Sequence, residues 1–126
     1  MLRLVAAVSA AYDFLLGAAL LLGRPLLVQW FGVPAPVPPI HADLNGVFTL
    51  AIAAGYLLPY RDPVRYRAYL WLMGPYLKGA GSILFVLDYL YRGSPASFLL
   101  FAAGDGSLAL LTLWALLRTR RDSIAT

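Results

Sequence analysis

Several residue types are scarce or absent in this chain, and each absence narrows what the chain can do. The 126 residues include no cysteine, which excludes disulfide bonds, thiolate metal sites and thiol–disulfide chemistry. Glutamate is also absent, and charged residues make up 13% of the chain, against about 25% in a typical soluble domain. Hydrophobic residues reach 61%. A soluble domain of this length cannot bury so much apolar surface, so the composition predicts a polytopic membrane protein.

Four apolar segments are long enough to cross a bilayer. A transmembrane helix needs about 20 mostly apolar residues, and the segments that meet this requirement are residues 4–22, 43–59, 66–90 and 96–117. We therefore predict an all-α fold, in which residues 1–126 form a single four-transmembrane-helix bundle. We expect the first span to be retained rather than cleaved as a signal peptide, because a further apolar run follows its first one directly.

Arginines are distributed unevenly between the two sides of the predicted bundle. Only Arg24 and Arg92 fall on one side. The other side has both chain termini, the loop between the second and third spans, and Arg3, Arg61, Arg65, Arg67, Arg118, Arg120 and Arg121. Cytoplasmic loops carry the excess of positive residues, so both termini are expected in the cytoplasm, in a bacterial inner membrane. The net charge of +4 is then explained by the arginines that orient the spans in the membrane, and no nucleic-acid partner is predicted.

The first external loop combines an apolar aromatic stretch with a proline-rich one. The stretch "PLLVQWF" is too short to span, and its aromatic residues suit the membrane–water interface. The stretch "PAPVPP" is stiff and extended, because each proline fixes φ and removes a hydrogen-bond donor. We predict a short interfacial helix followed by a rigid strap over the bundle; a loop without a special role is the alternative.

Three ionisable residues fall near the middle of predicted spans: Asp13, Lys78 and Asp105. Each costs about 2.5–3.5 kcal/mol at the centre of an isolated helix, so we expect all three to face the interior of the bundle. Lys78, the only lysine, is predicted to be the counter-ion of Asp13, Asp105 or both. If the second, third and fourth spans are consecutive neighbours, Asp105 is its nearer partner and Asp13 lies diagonally opposite. For the remaining negative charge we hypothesise a retained or shared proton.

Other polar residues share these interior faces. The candidate ligand or proton site comprises Asp13, Lys78, Asp105, Asn45, Tyr76, Tyr56 and His41. The alternative is structural, because a buried ion pair can serve only to fix helix register. We predict no catalytic residue, no metal site and no obligatory cofactor, although a bound quinone or lipid fits the composition. The single histidine cannot supply bis-histidine haem ligation.

The segments "YDFLLGAALLL", "WFGVP", "LNGVFTLAIAAGYLL" and "GPYLKGAGSILFV" together resemble small bacterial four-helix membrane proteins of the broad DoxX-like type. This resemblance implies a compact four-helix bundle and an accessory association with membrane redox systems, and it carries over no catalytic residue. The small multidrug-resistance exporters also have four helices and an acid in the first span. That acid is a glutamate, which this chain lacks, and they have no buried lysine.

Three functions are consistent with the sequence. The first is a non-enzymatic bundle whose intramembrane pocket binds a small apolar or amphipathic ligand, such as a quinone or a lipid. The second is a structural or accessory subunit of a larger membrane redox complex, and the third is a proton-coupled small transporter. Expected partners are membrane lipid and either other membrane subunits or further copies of this chain. An enzyme is the least favoured class, because no nucleophile–base pair or cofactor motif is present.

Overall fold

The structure, a computed structural model, describes residues 1–124, with side chains through Thr119, and these residues are helical without strands. The seven α-helices are α1 (Leu2–Leu22), α2 (Arg24–Phe31), α3 (Ile40–Gly55), α4 (Leu57–Arg61), α5 (Arg67–Trp71), α6 (Gly79–Arg92) and α7 (Leu99–Ile124). A π-helical segment, Leu72–Lys78, joins α5 to α6, and a 3₁₀ turn, Ala96–Phe98, precedes α7.

These elements form four helices that are long and apolar enough to cross a membrane. They are Leu2–Leu22, Ile40–Arg61, Arg67–Arg92 and Ala96–Thr119, called below the first to fourth spans. Only 17–33% of the residues in their apolar windows are buried inside the protein. Most of the apolar side chains therefore face outward, where lipid tails rather than other protein groups would cover them. The all-α class and the four membrane-length helices are confirmed, and this is the architecture of a multi-pass membrane protein.

The observed helices extend by a few residues beyond the predicted spans, and two of these extensions have a clear cause. The second span begins at Ile40 rather than at residue 43, since Pro39 is the last proline of the strap and stands at the helix N-cap. The last helix continues to Ile124, because arginine is a good helix former. The predicted span stops at residue 117 because hydropathy marks the edge of an apolar segment, which is not the end of the helix. The side chains of Arg120 and Arg121 lie outside the described part.

The short helix predicted between the first and second spans is present as α2. It ends at Gly32, whose φ of 65° is left-handed, a conformation that favours glycine because it has no Cβ. Irregular chain with Pro34, Pro36, Pro38 and Pro39 then leads to the second span. Below, the end of the bundle formed by α2 and residues 93–95 is the α2 end, and the opposite end is the terminal end.

Glycines set the closest contacts between the spans. A Cβ added at Gly17 would lie 2.9 Å from the carbonyl oxygen of Gly46, so the first and second spans approach backbone to backbone. The third and fourth spans meet at Gly74, where an added Cβ would lie 2.6 Å from Cγ2 of Thr112. Small residues permit such close helix approach in membranes. The first span also packs on the fourth, which gives the order second, first, fourth, third.

The second and third spans meet mainly at the terminal end. The Tyr69 hydroxyl donates a hydrogen bond to the Ile52 carbonyl at 2.6 Å, and the rings of Tyr56 and Tyr69 pack edge to face with centroids 5.2 Å apart. Tyr56 belongs to the buried core at this end, together with Val5 and Leu116. Towards the α2 end, a cavity lies between residues of the second span and residues of the third and fourth spans. The expected consecutive packing of the second and third spans therefore holds at one end of the bundle only.

Candidate functional site

The three mid-span charges meet inside the bundle. The Lys78 ammonium donates a hydrogen bond to Oδ1 of Asp13, and its Nζ lies 3.8 Å from Oδ1 of Asp105. The side chains of Lys78 and Asp13 are only 6% and 3% exposed, whereas that of Asp105 is 20% exposed. Lys78 is therefore the counter-ion of both acids, as predicted, and we call these three residues the charge triad.

The expected order of the two partners is wrong: Asp13, not Asp105, receives the hydrogen bond of Lys78. Asp13 and Lys78 stand on diagonally opposed spans, but a lysine side chain has four methylene groups and can cross the interior. The Lys78 ammonium also lies 5.2 Å from the ring centroid of Tyr12 on the first span, where a cation is attracted to the ring face. Helix order alone does not predict this partner choice, because side-chain reach decides it.

The backbone before Lys78 explains how the ammonium reaches the interior. Pro75 has no N–H to donate to the preceding turn, and the segment around it, Leu72–Lys78, is π-helical. Gly74 lets this segment press against Thr112 of the fourth span. The helix is thus loosened at Gly74 and Pro75, and Lys78 is the last residue of the π-helical segment. Such π-turns occur frequently at functional sites.

Some buried polar atoms near the triad have no hydrogen-bond partner among the described residues. They include Oδ2 of Asp13, Oγ of Ser9 and the hydroxyl of Tyr56. Ser9 lies one turn before Asp13, so both side chains lie on one face of α1. Ser9 is not among the predicted site residues, although this spacing from Asp13 is a signal that could have found it. Polar atoms buried in this way usually bind an internal water molecule.

A cavity of about 560 Å³ occupies the α2 half of the bundle. All four spans, α2 and the strap contribute to its lining, which is mainly apolar. Phe85, Phe98 and Phe101 form one wall, with ring centroids 5.5–6.1 Å apart. The sequence places Phe98 and Phe101 on the helical face of Asp105, but only the packing of the third span on the fourth brings Phe85 beside them.

Asp105 links the cavity to the charge triad, because it belongs to both. Asn45, Thr49 and His41 add polar groups from the second span, and the Thr49 hydroxyl donates a 2.6 Å hydrogen bond to the Asn45 carbonyl. Arg24 also lines the cavity. Its guanidinium donates a hydrogen bond to the Asp43 carboxylate, so the charge of Arg24 is already balanced.

The predicted site residues therefore fall into separate groups. Asp13 and Lys78 lie in the triad behind the cavity, Asp105, Asn45 and His41 line the cavity, and Tyr56 is buried against Tyr69. Tyr76 is 70% exposed on the outer surface. Tyr76 precedes Lys78 by two residues, and residues at this spacing do not face the same side of a helix. Among the described residues, no group of three side chains that ligate metals through His, Cys, Asp or Glu comes together.

No protein-family model matches this chain, and the comparisons with curated proteins and with solved structures found no similar protein or fold. The fold and the site together define an all-helical bundle with four membrane-length helices, an internal charge triad and an adjoining apolar cavity.

Proposed function

We propose that this protein is a non-enzymatic membrane bundle that holds a small apolar or amphipathic ligand, of the quinone or lipid class, in the cavity beside Asp105. The cavity itself is the observation that carries the proposal. Its volume of about 560 Å³ falls within the roughly 300–1,000 Å³ of small-molecule sites. Such sites combine mostly apolar walls with a few polar groups that orient the ligand, and this cavity has both.

Only some of the predicted site residues can face a ligand in the cavity. The Lys78 ammonium is engaged by Asp13, and Tyr76 lies on the outer surface, so neither is placed to donate to a quinone carbonyl in the cavity. Asn45 and His41 line the cavity and offer side-chain donors and acceptors. In this proposal they orient the polar end of the ligand, and the phenylalanine wall holds its apolar part.

The proposed setting is a bacterial inner membrane, with both termini in the cytoplasm and the cavity towards the outer leaflet. The arginine distribution supports this orientation, because the seven arginines with described side chains divide five to two in favour of the terminal end: Arg3, Arg61, Arg65, Arg67 and Arg118 against Arg24 and Arg92. The resemblance to DoxX-like proteins, and the accessory redox association that it implies, belong to the same proposal. A quinone as ligand would connect the cavity to that association.

Native mass spectrometry after gentle extraction tests the proposal. We expect the wild-type protein to retain a small apolar or amphipathic molecule, and Thr49→Phe to release it, because a phenyl ring at Thr49 projects into the cavity. Ala51→Phe is the matched control, since Ala51 is exposed on the same helix and outside the lining. Wild-type protein without any bound small molecule, or equal retention by both variants, would contradict the proposal.

The second candidate is a structural or accessory subunit, in which the triad only fixes helix packing. The burial of the Lys78–Asp13 pair favours this structural function, because side chains that are only 6% and 3% exposed are not accessible to a ligand. The same spectra test this function, because they would show partner subunits or further copies of this chain in place of a small ligand. The proton-coupled transporter is disfavoured, because a buried apolar core blocks a proton path from the cavity to the terminal end. This core includes Leu2, Val5 and Leu116.

A further inference from the structure

The charge inventory of the cavity narrows the chemistry of its ligand. We propose that the cavity binds an amphipathic molecule whose polar end is a protonated amine, and that this amine pairs with the Asp105 carboxylate. The inference rests on the proposed function, since it assumes that the cavity is a ligand site. It goes further by assigning the ligand's head group a charge and a partner, and it thereby selects an amphipathic amine over an uncharged quinone.

The first step is the balance of charged groups in the triad. Two carboxyl groups, of Asp13 and Asp105, surround one ammonium. Lys78 donates its hydrogen bond to Asp13, while Asp105 stands 3.8 Å from Nζ. The triad therefore contains one carboxyl group more than it contains cations, and Asp105 is the acid that is not hydrogen-bonded to the ammonium. Without a ligand, the retained or shared proton hypothesised from the sequence balances this extra acid. A bound protonated amine takes the place of that proton, which is released to water.

The second step is access. The Asp105 side chain is 20% exposed, compared with 3% for Asp13, and Asp105 is the triad residue that lines the cavity. A ligand in the cavity can therefore reach the carboxylate of Asp105 without disturbing the Lys78–Asp13 pair.

The third step concerns the competing groups. Arg24 lines the cavity but is paired with Asp43, so its charge is already balanced. Phe101 precedes Asp105 by one turn on the same helical face, and Phe98 and Phe85 pack beside it. Aromatic faces attract cations, and hydrogen bonds from an ammonium to a carboxylate are stronger than neutral ones. The acid and the neighbouring rings therefore favour a cationic head with an apolar tail.

Three radiolabelled probes test whether the cavity selects a cationic head group: decylamine, decanol and decanoate. Their chains have the same number of carbon atoms, and their head groups are cationic, neutral and anionic. Saturable binding is measured at neutral pH on the full chain in lipid nanodiscs, with empty nanodiscs as the blank for partition into lipid. We expect the wild-type protein to bind decylamine about tenfold or more tightly than decanol, the effect of a charge-assisted hydrogen bond, and decanoate the least.

The Asp105→Asn variant keeps the size of the side chain and removes its charge. We expect it to bind decylamine no better than decanol. It should still bind decanol saturably, which also shows that the variant is folded. Asp88→Asn is the matched control and should keep the amine preference, because Asp88 lies on the third span outside the cavity lining.

The outcomes separate this inference from the proposed function. If decanol binds saturably and Thr49→Phe abolishes its binding, the cavity is a ligand site. Equal affinity of the wild-type protein for decylamine and decanol, or an amine preference that survives in Asp105→Asn, then overturns the amine inference alone. If none of the three probes binds saturably to the wild-type protein, the inference and the proposed function are both overturned.

Discussion

Lys78 and Asp13 form a hydrogen-bonded ion pair across the diagonal of the bundle, between the third and first spans. The two side chains are among the few charged groups that are almost completely buried. Their pairing joins spans that are not neighbours in the packing order. It therefore ties together the two halves of the bundle, one formed by the first and second spans and the other by the third and fourth.

Breaking this pair on one side should be strongly destabilising. We expect Lys78→Met to lower the free energy of unfolding by about 3–5 kcal/mol, because an uncompensated carboxylate is left buried beside Asp105. The double variant Lys78→Met, Asp13→Leu should recover the part of that loss that belongs to the Lys78–Asp13 pair, since replacing both partners by apolar side chains is often nearly neutral. Asp105 remains without its cation. Equilibrium unfolding in mixed micelles measures the free energy of unfolding of the wild-type protein, the single variant and the double variant.

The pair between Arg92 and Asp88 provides the matched control. The Arg92 guanidinium nitrogen lies 3.1 Å from Oδ1 of Asp88, but the Arg92 side chain is 82% exposed. Exposed ion pairs contribute about 0–1 kcal/mol to the free energy of unfolding. We expect Arg92→Met to unfold like the wild-type protein. A loss in Lys78→Met no larger than that in Arg92→Met would show that burial does not strengthen the diagonal pair.

A methyl group at Gly74 should force the third and fourth spans apart. The added Cβ of Gly74→Ala would lie 2.6 Å from Cγ2 and 2.8 Å from Cβ of Thr112, which is closer than packed carbon atoms approach. We expect a loss of about 1–3 kcal/mol in the free energy of unfolding. Gly79→Ala is the control, because its Cβ would lie at an ordinary 3.8 Å from Ala109. Equal stability of the two variants would contradict the close contact.

Two neighbouring tyrosines should respond differently to loss of the hydroxyl group. Tyr69→Phe removes the hydrogen bond to the Ile52 carbonyl, so we expect a loss of about 0.5–1.5 kcal/mol. Tyr56→Phe removes a buried hydroxyl that has no partner among the described residues, so we expect a smaller loss than in Tyr69→Phe. Thermal unfolding in detergent compares the two. A loss in Tyr56→Phe as large as that in Tyr69→Phe would instead indicate a bound water at the hydroxyl.

The orientation in the membrane can be measured with single cysteines, because the chain has none of its own. Val37 in the strap and Val64 in the loop before α5 are 91% and 79% exposed. With both termini in the cytoplasm, a membrane-impermeant maleimide should label Val37→Cys in intact cells and Val64→Cys only after permeabilisation. The reverse pattern would place the termini outside, and labelling of both in intact cells would argue against one fixed orientation.

The sequence predicted the interior position of the charges because burying a charge in lipid is expensive at any position along a span. Asp13, Lys78 and Asp105 were expected at one level inside the bundle, and they do meet there. The same reasoning could not choose the partner of Lys78. That choice depends on the reach of one flexible side chain and on a π-helical segment, and neither appears in a hydropathy pattern.

The cavity could not be predicted from any single helix. Its phenylalanine wall joins Phe85 of the third span to Phe98 and Phe101 of the fourth, and its polar groups come from the second span. The sequence indicates which face of each helix points inward, but it does not say that the second and third spans separate towards the α2 end. Tyr76 is a different case, because its spacing of two residues from Lys78 already places it on another side of the helix.

The amino-acid sequence by itself determined the helical class, the four membrane-length helices and the interior position of three charges. These follow from the free energy of placing backbone and charged groups in an apolar solvent, which depends on the residues of each span alone. Tertiary structure decided the diagonal ion pair, the partly exposed carboxylate of Asp105 and the cavity beside it. These depend on how close pairs of helices approach, and that distance is set by contacts such as Gly17 with Gly46 and Gly74 with Thr112.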